Sequence, residues 1–99
     1  MTVEGSLAGR IALVTGASRG LGFEIARRMA EQGARVWLNG RGASAVEAAA
    51  ERIGPNARAL PFDIGDDQAS AAAFARLAED GLDILVNNVG QRDRRPLEQ

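Results

Sequence analysis

The sequence predicts an α/β fold built on a doubly wound parallel β-sheet, with helices on both of its faces. Short apolar runs of strand length alternate with longer segments in which apolar residues recur at helical spacing. The short runs are apolar throughout instead of alternating with polar residues, as expected for strands covered on both faces. The resulting order, β-α-β-α-β-α-β, requires parallel strands joined by right-handed crossovers.

The elements can be assigned in order along the chain. Strands are expected over residues 10–15, 35–39, 57–62 and 82–86. Helices are expected over residues 20–32, over residues 44–53, and from Asp66 or Asp67 to about Glu79.

Local sequence details support these boundaries. The first helix should bury an apolar face, and Gly33 stands where a C-terminal cap would; the apolar face comprises Leu21, Ile25, Met29 and Ala30. Ser44 and Glu47 fit a capping box at the start of the second helix. Pro61 cannot donate a backbone hydrogen bond, so the third strand is expected at a sheet edge. In the third helix the apolar side is expected to comprise Phe74, Leu77 and Ala78.

Composition excludes several classes of function. The net charge of −1 argues against binding to nucleic acid or to a membrane surface through bulk charge. The chain has no Cys and no His, which removes disulfides, thiolate chemistry, the commonest metal ligand and the commonest general base. We therefore expect no metal site. No segment resembles a signal peptide or a membrane span, and we expect a cytoplasmic location.

The most informative segment is the glycine-rich stretch of residues 15–22, Thr-Gly-Ala-Ser-Arg-Gly-Leu-Gly. It follows the first strand and opens the first helix, which is the context that a phosphate-binding glycine turn requires. Gly16 would let the chain turn, Gly20 would let the backbone approach a pyrophosphate, and Gly22 would let the helix pack closely on the strand. The first N–H groups of the helix would then face the phosphates. The alternative is a tight strand-to-helix turn with no ligand.

The end of the second strand favours NADP over NAD. A dinucleotide fold that prefers NAD usually carries an acidic residue there, about 20 residues past the glycines, to hold the ribose 2′-hydroxyl. Here the strand ends in Asn39-Gly40-Arg41, without a carboxylate. Arg41, with Arg19 from the glycine loop, suits a 2′-phosphate because each guanidinium can donate paired hydrogen bonds. The alternative is that both arginines are solvated surface residues.

Asp63 and Ile64 follow the third strand, at a point that lies near the adenine in this topology. The carboxylate of Asp63 could accept a hydrogen bond from an exocyclic amine. It could equally be a carboxylate at a helix N-terminus, as Asp66 and Asp67 could be. Spacing alone leaves both interpretations open.

Taken together, these residues resemble the short-chain dehydrogenase/reductase family. The family's glycine motif, Thr-Gly-x-x-x-Gly-x-Gly, is matched in full by residues 15–22. Its Asn-Asn-Ala-Gly motif is matched by Asn87-Asn88-Val89-Gly90, with Val in place of the usual Ala, and its acidic–aliphatic pair by Asp63-Ile64. The resemblance extends over about residues 7–97. It implies a Rossmann-type fold, of which the chain supplies the N-terminal half with strand order 3-2-1-4.

The resemblance also implies roles by position. Contacts with the adenosine phosphates and the pyrophosphate are implied for Gly16, Ser18, Arg19, Gly20, Leu21 and Gly22. Asn39 and Arg41 would belong to the same cofactor site, with Arg41 selecting NADP. Asp63 and Ile64 would border the adenine. Asn88 and Gly90 would lie along the ribose and nicotinamide side, and Asn87 would brace the sheet.

The catalytic residues of the family are not matched. In the family, the catalytic Asn, Ser and Tyr-x-x-x-Lys group follows the Asn-Asn-Ala-Gly motif. Residues 1–99 of this chain contain neither Tyr nor Lys. We therefore expect residues 1–99 to form one NAD(P)-binding domain truncated before the catalytic half, with strand 4 as an exposed edge. The full-length form, expected to be a homo-oligomer, would act on an alcohol or ketone.

Three interpretations of function stay open at this point. The chain could represent an NADP-dependent oxidoreductase, an inactive dinucleotide-binding module, or a non-functional remnant. The substrate is also open, because the tail after residue 90 looks somewhat like that of sugar-acid dehydrogenases, and ketoacyl-thioester reductases fit comparably.

Overall fold

The computed structural model describes residues 6–88 of the chain. In this range strands and helices alternate as the sequence predicts, with ends that differ from the expected ones by one or two residues. The elements are β1 (Ile11–Val14), α1 (Gly20–Glu31), β2 (Arg35–Gly40), α2 (Ala43–Ile53), β3 (Ala57–Pro61), α3 (Asp67–Asp80) and β4 (Ile84–Val86). None of these helices is long and apolar enough to cross a bilayer.

The strands form one parallel sheet in the order β3-β2-β1-β4, which confirms the predicted topology. Leu13, in the middle of β1, is in register with Trp37 of β2 on one side and with Leu85 of β4 on the other. Because all strands run the same way, their carboxyl ends meet at one edge of the sheet. β3, whose last residue is Pro61, lies at one edge of the sheet formed by residues 6–88, as predicted.

The core has two layers, one on each face of the sheet. Alternate residues of β1 point to opposite faces, since side chains of a strand alternate. Ala12 and Val14 belong to the layer that contains buried residues of α1 and α2, whereas Leu13 packs with Leu60 and with Leu77 of α3. The sheet is therefore covered on both faces, as its unbroken apolar runs predict.

The predicted buried face of α1 is partly wrong. The structure buries Gly22, Phe23, Ala26 and Ala30. Leu21 is 58% exposed instead. The helix turns Gly22 towards the strand ends, which points the neighbouring side chain of Leu21 to solvent. In α3 a similar correction applies, because Ala78 is exposed and Ala73 takes its place in the core.

The capping box predicted for α2 is also wrong. The helix begins at Ala43, and its N-cap is Gly42, which has extended backbone and makes no side-chain capping bond. Ser44 is already inside the helix, whereas an N-cap residue needs non-helical dihedral angles. In α3, by contrast, Asp66 is the N-cap, and its carboxylate accepts a hydrogen bond of 3.0 Å from the N–H of Ala69.

Candidate functional site

The glycine-rich segment forms the connection between β1 and α1 at the carboxyl edge of the sheet. Gly16 and Gly20 have φ angles of +59° and +64°, in the left-handed region that other residues rarely adopt. Arg19, which lies between the two glycines and is the N-cap of α1, is fully extended. The two left-handed glycines let the chain leave the strand and enter the helix within six residues, which fits the predicted turn.

Gly22 is fixed by a close approach of backbone. A β-carbon on this residue would lie 2.2 Å from the carbonyl oxygen of Gly16 and 2.6 Å from Nδ2 of Asn88. Real β-carbons do not approach other atoms so closely, so position 22 accepts only glycine in this geometry. The close packing expected of Gly22 is present, and its partners are Gly16 of the glycine turn and Asn88, two residues after β4.

A hydrogen-bond network joins the turn to the end of β4. The hydroxyl of Thr15 donates to Oδ1 of Asn87 at 3.1 Å and accepts from the N–H of Asn88 at 2.8 Å. Nδ2 of Asn88 donates to the carbonyl of Gly16 at 3.1 Å. Asn87 is thus held against β1, as its predicted bracing role requires. The side chain of Asn88 contacts the glycine turn.

The N-terminus of α1 is open. Within residues 6–88, no side chain caps it and its first turn carries no acidic residue, whereas α3 has both an Asp cap and an acidic first turn. A β-carbon placed on Gly20 would meet no atom within 4 Å. The first N–H groups of a helix are unpaired within the helix and carry partial positive charge. Backbone donors beside side-chain-free space are suited to hold a phosphate group.

The end of β2 lies beside the glycine loop. The N–H of Ala17 donates to the carbonyl of Asn39 at 2.8 Å. The side chain of Asn39 is only 2% exposed, and its Nδ2 donates to the carbonyls of Phe62 at 2.9 Å and Leu60 at 3.3 Å. These two bonds occupy both amide hydrogens of Asn39, so that its NH₂ group braces β2 against the end of β3.

Both arginines predicted to select the cofactor have exposed side chains. Arg19 precedes α1 and Arg41 directly follows β2, and neither takes part in an ion pair within the described range. Ser18 lies between the two segments, because a β-carbon on Gly40 would be 3.7 Å from its Cβ and Oγ. Within the described residues, both guanidinium groups are therefore exposed and free of carboxylate partners near the packed junction of the loop and β2.

Asp63 and Ile64 follow β3 at the same edge of the sheet. The carboxylate of Asp63 is exposed and accepts a hydrogen bond of 2.9 Å from the N–H of Gly65, which closes a local turn. Asp63 lies outside the first turn of α3, whose cap is Asp66. The carbonyl of Ile64 accepts from the hydroxyl of Ser70 at 3.1 Å.

The structure thus brings most of the predicted site residues to one edge of the sheet. These are Gly16, Ser18, Arg19, Gly20, Leu21, Gly22, Asn39, Arg41, Asp63, Ile64 and Asn88. Gly90 lies outside the described residues. A separate cavity of about 210 Å³ lies at the opposite edge, between the first residues of β2 and β3 and the end of α3, and shares no residue with the site.

Two residues of the site were missed by the sequence prediction. Thr15 was treated as the end of the strand motif, although its hydroxyl links the glycine loop to the residues after β4. Gly40 was treated as part of the strand end, although a β-carbon there would lie 2.7 Å from Cγ2 of Val46. Its spacing from the glycine loop could have identified it, whereas the contact with Val46 depends on how α2 packs.

Comparison with known proteins decides the family. The model of the short chain dehydrogenase family matches residues 10–99 of the chain. This chain belongs to the short-chain dehydrogenase family. The resemblance inferred from the motifs is confirmed, together with the Rossmann-type fold.

Several members of the family are closely similar over this region. The chain is 43% identical over 99 residues to gluconate 5-dehydrogenase of Gluconobacter oxydans, and the match covers 95% of this chain and 39% of that protein. It is 44% identical over 82 residues to a "probable NADP-dependent dehydrogenase" of Dichelobacter nodosus, covering 81% of this chain and 77% of that protein.

A solved structure is similar in the same range. The Pseudomonas aeruginosa RhlG/NADP active-site complex has a TM-score of 0.77 and 44% identity, and the match covers 89% of this chain and 37% of that one. The chain therefore spans well under half the length of that structure and of the Gluconobacter protein.

Proposed function

We propose that residues 15–22 and the ends of β2 and β3 bind NADP(H). The observation that carries this proposal is the open N-terminus of α1, where a left-handed, side-chain-free Gly20 leaves room beside uncapped backbone N–H groups. These groups would hold the pyrophosphate, because helix N-termini favour anions. Asp63 and Ile64 would border the adenine, and Asn88 and Gly90 would lie on the ribose and nicotinamide side.

The preference for NADP over NAD rests on charge at the end of β2. Arg19 and Arg41 are exposed, and Asn39-Gly40-Arg41 offers no carboxylate to a ribose hydroxyl. A phosphate dianion would gain charge-assisted hydrogen bonds from two guanidinium groups, each worth about 1.5–3 kcal/mol. The relative from Dichelobacter nodosus and the Pseudomonas aeruginosa complex are both described with NADP, which supports the same choice.

The wider function that we propose is hydride transfer between NADP(H) and an alcohol or ketone. Named relatives include a gluconate 5-dehydrogenase and 3-oxoacyl-[acyl-carrier-protein] reductases, so a sugar acid and a ketoacyl thioester are the two substrate classes to test. Residues 1–99 contain neither Tyr nor Lys, so these residues supply cofactor binding and not proton transfer. The activity must therefore be measured on the protein as its gene encodes it.

Cofactor titration tests the binding proposal. NADPH should bind saturably and more tightly than NADH, and Arg41→Asp should reverse or abolish that preference by about 10- to 100-fold. Arg58→Asp makes the same change of charge on β3, beside the cavity at the opposite edge of the sheet, and should leave both affinities nearly unchanged. Saturable binding with an unaltered NADPH-to-NADH ratio in Arg41→Asp would remove Arg41 from the site. Absence of saturable binding to either nucleotide would refute the proposal.

The remaining parts of the proposal concern setting and assembly. We place the protein in the cytoplasm, as a homo-oligomer without nucleic-acid or membrane partners. The net charge of −1 supports the exclusion of polyanionic partners. Sedimentation of the gene-encoded protein at several concentrations tests the oligomeric state.

A further inference from the structure

Gly40, the last residue of β2, faces a side chain that leaves no room for a β-carbon. A β-carbon built on it would lie 2.7 Å from Cγ2 of Val46, in the first half of α2. Carbon atoms in contact are normally separated by about 3.5–4.0 Å. A residue other than glycine at position 40 therefore requires either the strand or Val46 to move.

Neither partner moves easily. The carbonyl of Gly40 accepts a hydrogen bond of 3.0 Å from the N–H of Phe62, and Gly40 is in register with Pro61 of β3. Val46 is 0% exposed and belongs to the main core cluster. Its side chain is β-branched, and such side chains keep one strongly preferred rotamer in a helix. Rotation would drive a methyl group into this packed core.

A charged side chain at position 40 would affect the preference for NAD or NADP. It lies 20 residues beyond Gly20, at the end of the second strand. In dinucleotide folds this is the region from which a carboxylate holds the ribose 2′-hydroxyl of NAD. The β-carbon would also lie 3.7 Å from Cβ and Oγ of Ser18. A side chain at residue 40 would therefore start beside Ser18 of the glycine loop, the residue that precedes Arg19.

We infer that Val46 constrains cofactor specificity by keeping residue 40 free of a side chain. Its buried isopropyl group fills the space that a β-carbon would need, so position 40 cannot carry a carboxylate that would favour NAD and repel a 2′-phosphate. Val46 is a positioning residue, because it acts through Gly40. The inference rests on the proposed binding of a dinucleotide at this edge.

The packing step is tested by a double-mutant cycle in the gene-encoded protein. Gly40→Ala should lower the melting temperature by roughly 4 °C or more, because it overpacks the core. In a protein that already carries Val46→Ala, Gly40→Ala should lower the melting temperature little further. Gly42→Ala is the matched control, since its β-carbon would meet only Cβ of Ala45 at 3.9 Å and its φ is −89°.

The effect on cofactor specificity is tested with a double variant, Gly40→Asp combined with Val46→Ala, in which Arg19 and Arg41 are retained. The preference for NADPH over NADH, measured as the ratio of their dissociation constants, should shift in favour of NADH by about 10- to 100-fold. Val46→Ala alone is the reference for the double variant, because it removes the packing constraint on residue 40 without adding charge. Binding is measured directly, so the result does not depend on turnover.

The possible failures are distinct. Additive stability losses in the cycle, or a Gly40→Asp variant as stable as the unaltered protein, would overturn the packing argument. A folded double variant with an unchanged NADPH-to-NADH ratio would overturn the specificity argument. If the unaltered protein binds neither nucleotide, the proposed function fails and the specificity inference fails with it, whereas the stability cycle still reports on the packing.

Discussion

The glycines of the β1–α1 loop have different physical requirements, and alanine substitutions separate them. At Gly22 a β-carbon would lie 2.2 Å from the carbonyl oxygen of Gly16, which is backbone and cannot rotate away. We expect Gly22→Ala to cost about 3 kcal/mol or more in the free energy of unfolding. Gly20 has open space but a φ of +64°, so Gly20→Ala should cost only about 1–2 kcal/mol.

Urea denaturation of both variants measures these two losses. NADPH binding adds a second readout, since Gly20 borders the proposed phosphate site. Gly20→Ala should weaken binding more than its loss of stability explains, because the new methyl group enters the space beside the helix N-terminus. Equal destabilisation by both substitutions would contradict the assignment of different roles.

Thr15 connects the loop to β4 through one hydroxyl group. Thr15→Val keeps the shape of the side chain but leaves the N–H of Asn88 without its acceptor and Oδ1 of Asn87 without its donor. Because Thr15 is buried, we expect a loss of about 1–3 kcal/mol in the free energy of unfolding. Thr15→Ser retains the hydroxyl and should lose less. A Thr15→Val protein as stable as Thr15→Ser would show that the network contributes little.

For single residues, the sequence predicted which positions form the glycine turn, but it did not predict which side chains contact each other. Glycine spacing identified residues 16, 20 and 22, because their backbone requirements are local. The side-chain contacts of Asn88 with Gly16, and of Val46 with Gly40, join segments distant in sequence and depend on packing. Neither contact leaves a spacing pattern that could be recognised in a single sequence. The amide group of Asn39, which the prediction places at the cofactor site, donates to the carbonyls of Leu60 and Phe62 at the end of β3, and this contact too depends on packing.

The elements themselves were predictable because their patterns are repeated. Each strand is an apolar run and each helix repeats apolar residues over several turns, so single-residue errors average out. The helix ends depend on one or two residues, and there the prediction failed for α2. Ser44 and Glu47 have capping-box spacing, but Gly42 provides the extended N-cap and starts the helix earlier.

The exposed face of α1 carries a charged cluster whose effect depends on pH. Arg27 donates to Glu24 at 2.7 Å and to Glu31 at 2.6 Å. The hydrogen bond from Arg27 is the main cause that lowers the pKa of Glu24 below its ordinary value of 4.5. A carboxyl group whose pKa is lower when folded stabilises the fold above its unfolded pKa. That contribution is lost as the pH falls through the folded pKa.

We therefore expect acid to remove a small part of the stability that depends on Glu24. Comparison of Glu24→Gln with the unaltered protein should show a difference at pH 7 that disappears as the pH falls below 4.5. The groups are exposed, so added salt should shrink the difference at pH 7. Urea unfolding at several pH values and salt concentrations measures this. A difference that grows in acid would have the wrong sign for this account.

For the whole molecule, the strand order explains where the candidate site lies. The chain runs from β1 outwards to β2 and β3, then crosses to place β4 on the other side of β1. The strand order therefore reverses between β1 and β4, and open α/β sheets bind ligands in the crevice at such a switch point, outside the carboxyl ends of the strands. The glycine loop follows β1 into this crevice, while Asn87 and Asn88 reach it from β4. Topology, more than any single residue, brings the three motifs together.

The same order leaves β4 with one partner among the described residues, and this predicts how residues 1–99 behave when produced alone. β4 pairs only with β1 there, and Leu85 is 51% exposed. An edge strand with unpaired backbone groups and an exposed apolar side chain favours association between chains. We expect this polypeptide to be poorly stable as a monomer and to associate as its concentration rises. Leu85→Thr should reduce the association. Sedimentation across a concentration series and urea unfolding at the lowest concentration measure association and stability. A monomer at every concentration that unfolds in one sharp transition would contradict this prediction.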